Sequence, residues 1–155
     1  MKSKEIQIID VWNDKKNNDL KKFVKTEAFK QSQERKLRNE LLSIQYKIED
    51  YIQNDNENET VLKILDFVKM YLKTLGVPQK RLAVLFEMKS SNLHKYLVGE
   101  RKLNAKVALK LSSFSHVKPE NWYRIQVKNE LIELKREKEN EDYYKKYDYI
   151  NLIDA

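Results

Sequence analysis

The chain has 155 residues, 31 Lys and Arg against 24 Asp and Glu, a net charge of +7, 41% hydrophobic residues and no cysteine. This suits one domain with appendages and one modest core, and it excludes disulfides, cysteine zinc sites and thiol nucleophiles. Two Gly and two Pro argue against a turn-rich β fold, and no apolar run reaches the roughly 18–20 residues of a membrane span or resembles a secretory signal, so the expectation is a mainly helical, cytoplasmic protein with no membrane partner.

Ile6, Ile8, Ile9 and Val11 alternate weakly and read as a short extended segment. Asn13 to Asp19 reads as a polar turn, and Leu20 to Phe29 as a short helix. From Gln33 onward, Leu37, Leu41, Ile44, Ile48 and Tyr51 follow a 4-3-4-3 spacing. That pattern predicts an amphipathic helix whose stripe packs on the rest of the chain or on a partner. The apolar-free run Asn54 to Thr60 reads as an exposed linker and a domain boundary. Three regions follow from this: 1–55, 60–135 and a charged tail, 136–155.

Thr60 is a suitable cap for a helix carrying Val61, Leu65, Val68 and Leu72. Gly76 is placed to end it in a left-handed conformation. Pro78 opens a second helix through Leu82, Ala83 and Leu85. A break at Glu87-Met88-Lys89 precedes a third, Ser90 to Leu97, which Gly99 ends. Asn104 caps a fourth with Val107, Ala108 and Leu111. Pro119 opens a fifth with Trp122 and Ile125, which runs into the charge-laced Lys135–Glu139. The tail, Tyr143 to Ile153, is tyrosine-rich and reads as extended.

The charge is concentrated in the middle of the chain. Residues 61–135 hold 15 basic and 6 acidic side chains, residues 1–60 hold 12 of each, and residues 136–155 hold 4 basic and 6 acidic. A basic surplus confined to one helical segment is the electrostatic footprint of a nucleic-acid partner, although lysine-rich solvated surfaces also produce one. Two short helices joined by a three-residue break have the form of a helix-turn-helix. Such a motif needs a small residue where the helices cross, here Ala83. It also needs polar side chains at the start of the second helix to reach base edges. Lys89, Ser90, Ser91, Asn92, His94 and Lys95 supply that face, while Leu93, Tyr96 and Leu97 are assigned to the core. Arg101 and Lys102 follow at the far end, suited to flanking phosphates.

The run PQKRLAVLFEMKSSNLHKYLVGERKLNAKVALKLSSFSHVKPENWYRIQ resembles the Xre-type repressor domain of HigA-like antitoxins. The resemblance rests on Gln79, Leu82, Ala83, Leu93, Leu97, Gly99, Arg101, Leu103, Ala108, Leu111, Pro119 and Trp122, and it covers about residues 61–135. It implies a five-helix, lambda-repressor-like fold for that region, and with the N-terminal helical extension and the short strands read at the termini the chain is expected to be all-α in the main. It further implies Gln79 on phosphate, Ser90, Ser91 and Lys95 nearest the bases, and Asn92 and Arg101 on the DNA backbone. Glu87 departs from the family pattern, which has glycine in the turn, and a left-handed Glu costs on the order of 1 kcal/mol.

The function this resemblance implies is that of an antitoxin. Such a protein is a homodimer on double-stranded operator DNA that represses its own operon and holds a RelE-like mRNA-cleaving toxin. A stand-alone repressor and a helical adaptor are the alternatives. Leu37, Leu41, Ile44 and Ile48 are the candidate toxin contacts, with the tyrosine tail as a weaker one. No enzyme, cofactor or metal site is expected. His94 and His116 lack neighbouring ligands, Ser90 and Ser91 lack a catalytic partner, and there is no Gly-rich phosphate loop.

Overall fold

The computed structural model describes residues 2–55 and 60–153, with the backbone alone for residues 2–14. Every regular element among the described residues is helical: α1 (Lys2–Gln53), α2 (Ile64–Leu75), α3 (Gln79–Leu85), α4 (Ser90–Val98), α5 (Ala105–Ser115), α6 (Pro119–Glu137), and the single turns α7 (Glu141–Tyr144) and α8 (Ile150–Ile153). Short 3-10 turns at Lys138–Asn140 and Lys145–Tyr147 link the last three.

The N-terminal reading is corrected. One helix of 52 residues replaces the extended Ile6–Val11 segment, the turn at Asn13–Asp19 and the separate helix at Leu20–Phe29. Residues 1–53 contain neither Gly nor Pro, so nothing in them breaks a helix, and the Asn, Asp and Lys of the polar stretch are tolerated within one. The tail forms helical turns, and no strand occurs among the described residues at either end of the chain.

The domain boundary also moves. Contacts divide the chain into Met1–Glu40 and Leu41–Ala155, whereas the sequence reading put the division at 54–60. Asn54, Asp55 and Thr60 are non-helical, and the centre of that linker, 56–59, lies outside the described residues. The division shifts because the last three turns of α1 belong to the second unit. Ile44, Ile48 and Tyr51 are buried in one cluster with Phe67, Val68, Leu93, Leu97, Leu111, Trp122 and Ile125. At about 1.5–3 kcal/mol for each fully buried large side chain, these three residues outweigh what a polar linker contributes. Ile44 and Ile48 are therefore removed from the surface expected to meet a toxin. Leu41 is half-buried against the same core, and Leu37 alone of the four stays exposed.

Polar pairs fix the end of α1. The Tyr51 hydroxyl donates to Asn129 Oδ1 (2.6 Å) and accepts from the Leu62 N–H (3.1 Å), and Asn129 Nδ2 donates to the Leu62 carbonyl (2.9 Å). Lys128 donates to the carbonyls of Tyr51 and Asn54 and lies 3.8 Å from the Tyr51 ring centroid. It places a cation on the negative end of the helix, where carbonyls lack intrahelical donors.

α2 starts at Ile64, later than the Thr60 cap placed it, because Asp66 Oδ2 accepts from the Lys63 N–H (2.8 Å). Gly76 (φ +66°) ends α2 with the Val77 N–H on the Leu72 carbonyl, a Schellman closure. Asn104 Oδ1 caps α5 through the Val107 N–H (2.9 Å), and Pro119 is the first residue of α6. Ser115 satisfies the polar groups at the centre of the core. Its hydroxyl accepts from Trp122 Nε1 and the Val117 N–H (3.2 Å each) and donates to the Leu111 carbonyl (2.6 Å).

Tyr71 is the exception. Its hydroxyl is buried without a hydrogen-bond partner among the described residues, burial pushes the phenol above the ordinary tyrosine range, and its ring meets Phe114 edge-on at 5.8 Å. Deleting a buried, unpaired hydroxyl removes a desolvation cost of about 1–3 kcal/mol at most. Tyr71→Phe is thus expected to leave stability unchanged or raise it by about 1 kcal/mol, whereas Asn129→Ala, which strands the Leu62 carbonyl, lowers it by about 1–2 kcal/mol. Chemical denaturation of the two variants checks the opposite signs.

Candidate nucleic-acid interface

The site is built on α3, the four residues after it, and α4. Leu82 and Ala83 of α3, Phe86 of the turn, and Leu93 and Leu97 of α4 are all buried. α3 and α4 pack against each other, and the small Ala83 is among the buried residues of α3. The turn closes like a Schellman motif, with the Glu87 N–H on the Val84 carbonyl (3.0 Å) and the Met88 N–H on the Ala83 carbonyl (2.9 Å). Glu87 occupies the left-handed position at φ +56°, where the sequence placed the strain. Lys110 of α5 donates to the Phe86 carbonyl, satisfying the end of α3 from a third element.

The polar residues assigned to the face lie at the surface of this frame. Lys89, Ser90, Ser91, His94, Lys95, Arg101 and Lys102 are exposed, and Gln79 and Asn92 are half-exposed. Gln79 Nε2 lies 3.3 Å from His94 Nδ1, so the start of α3 and the middle of α4 share one polar contact. No side chain caps α4, whose first residues follow the extended Lys89. Its free N–H groups and the positive end of its dipole thus sit beside Lys89, Ser90 and Ser91, an arrangement that favours an anion.

Arg101 and Lys102 separate in their roles. The Arg101 guanidinium lies 5.6 Å from the Tyr96 ring centroid, and Asn104 Nδ2 donates to the Tyr96 hydroxyl (3.2 Å). Tyr96, expected in the core, is only half-buried, and its ring supports the cation on the α4 side. Lys102 instead lies 3.7 Å from Glu130 of α6. It lines a cleft of about 370 Å³ with Ile64, Leu97 and Ile132, which weakens its assignment to phosphate. Sequence reasoning missed Tyr96 and Lys110 as supports. The Tyr96–Arg101 spacing across Gly99 was the one available signal, and nothing local to Lys110 points to Phe86.

No protein-family model matches this chain, and neither a curated protein nor a solved structure does. The site therefore rests on its own geometry.

The strained turn yields a test with two readouts. Glu87→Gly relieves a left-handed strain of about 1–2 kcal/mol against a glycine entropy cost of about 0.5–1 kcal/mol. It also removes a carboxylate beside the polar face. The variant should be more stable by up to about 1 kcal/mol in thermal unfolding, and any duplex DNA that this face takes should bind it more tightly in fluorescence anisotropy.

Proposed function

We propose that α3, its turn and α4 form a lambda-repressor-like helix-turn-helix and that the protein is a repressor of double-stranded operator DNA, with α4 entering the major groove. One observation carries this reading: Lys89, Ser90 and Ser91 are exposed at the uncapped start of α4, Gln79 of α3 meets His94 of α4, and Arg101 lies on the Tyr96 ring past the other end of α4, all within the segment that holds the whole basic surplus of the chain. In this reading Ser90, Ser91 and Lys95 lie nearest the base edges. Gln79, Asn92 and Arg101 hold the DNA backbone and fix register without reading sequence.

The resemblance to HigA-like antitoxins extends the proposal to a cytoplasmic antitoxin whose toxin is a RelE-like ribonuclease. The burial of Ile44 and Ile48 directs that contact elsewhere, and the tail favours it most. Tyr143, Tyr144 and Tyr147 are exposed and meet edge-on or tilted with ring centroids 5.2–6.2 Å apart, with the Lys146 ammonium 4.0 Å from the Tyr143 centroid. Clustered exposed tyrosines suit a protein interface. Replacing the three with Ser should abolish co-purification with a toxin encoded in the neighbouring reading frame and leave DNA binding intact.

DNA binding itself is tested by titrating a duplex from the protein's own upstream region across a range of salt. Each neutralised phosphate releases counterions, so log affinity should fall linearly with log salt. Arg101→Ala should weaken binding to all duplexes alike and lower the salt slope by about 1. Lys95→Ala should cost about 1–3 kcal/mol and narrow the gap between operator and random duplex. A chain that binds its upstream duplex without salt dependence, or not at all, contradicts the proposal.

A further inference from the structure

The part of α1 that precedes the core carries a surface that neither DNA binding nor the tail accounts for. From Lys15 to Glu40 every residue is exposed except the half-buried Glu27. Leu20, Phe23, Val24 and Leu37 are 60%, 65%, 55% and 38% exposed. Most helical stability in proteins comes from packing an apolar face, and this stretch has no packed face within its own unit.

Its spacing is heptad-like and in phase with the stripe that the core uses. Leu20, Glu27, Glu34 and Leu41 form one row, and Phe23, Lys30, Leu37 and Ile44 the other. From Ile44 on, the rows are buried in the core, so the free seam runs from Leu20 to Leu37. It is apolar at both ends and charged in the middle, and that order selects a partner and an orientation.

If two copies paired in parallel, each seam residue would face its own equivalent. Glu27 would meet Glu27, Lys30 would meet Lys30 and Glu34 would meet Glu34, three consecutive like-charge layers, each of them destabilising. Antiparallel pairing about the midpoint between Ala28 and Phe29 removes all three. Leu20 then faces Leu37 of the second copy, Glu27 faces Lys30, Phe23 faces Glu34, and each pair recurs by the two-fold axis. The seam is self-complementary in this sense only, which is what an isologous interface requires.

We propose that residues 20–37 of α1 pair antiparallel with the same segment of a second copy of this chain, through Leu20–Leu37 layers flanking a centre of two Glu27–Lys30 pairs. The pairing needs no DNA and is measured without it, so its failure and that of the DNA reading are separable.

Sedimentation equilibrium of the full chain, its Glu27→Lys and Lys30→Glu variants and the double variant decides the matter, with far-UV spectra recording helix content. The full chain should be a dimer. Either single reversal sets like charges opposite each other and should weaken the dimer about tenfold or more. The double reversal restores opposite charges in the antiparallel sense and should return the dimer to parental strength. In a parallel dimer, single and double reversals alike would leave like charges facing and change little. A monomeric parent, a dimer indifferent to the single reversals, or a double variant as weak as the singles would each overturn the proposal.

Discussion

The chain must reverse between Leu85 and Ser90 within four residues and leave no buried polar group stranded, and the candidate interface depends on that constraint. The left-handed Glu87 turns the backbone, the Glu87 and Met88 N–H groups take the last carbonyls of α3, and Lys110 takes the Phe86 carbonyl from α5. Phe86 can then be buried directly after α3, and α4 can pack on α3 with Leu93 and Leu97 inward. With these two positions committed to the core, the helical period turns Ser91 and Lys95 outward and leaves His94 at the edge of the inward face, while Ser90, three residues before Leu93, is exposed as the first residue of α4. The polar face is thus a consequence of how the turn closes and of which α4 residues the core takes.

A second constraint acts at the other side of the core. Tyr51, Asn129 and Leu62 exchange hydrogen bonds, and Lys128 holds the C-terminal carbonyls of α1. The end of α1 and α6 are therefore joined by directional contacts as well as by apolar area. The bonds made by Asn129 and Lys128 link residues 67–78 positions apart along the chain, so none of them shows in a local pattern.

Much of the architecture was legible because local chemistry decides it. Gly76, Gly99, Asn104 and Pro119 each sit where only a few residue types suit the backbone, and each marks a helix end as read. The left-handed position of Glu87 followed from the resemblance alone, because a glutamate gives no local signal for it. Thr60 misled because capping depends on which acid reaches back, and Asp66 selects Lys63. The first 30 residues misled for a different reason. A short apolar alternation and a polar run imitate a strand and a turn, and the absence of Gly and Pro was the stronger signal. The stripe from Leu37 to Tyr51 was correctly placed on a helix, but periodicity records a face and not its occupant. The intramolecular core takes Ile44, Ile48 and Tyr51 and leaves Leu37 outside.

The central claim is that DNA meets the face formed by the start of α4, Gln79 and Arg101, and amide chemical-shift mapping of the full chain tests it most directly. On addition of a duplex from its own upstream region, shifts should concentrate at Gln79, Lys89 to Lys95 and Arg101, with residues 15–40 and 141–153 unmoved. Shifts confined to those outer segments, or spread evenly along the chain at a saturating duplex concentration, would contradict it.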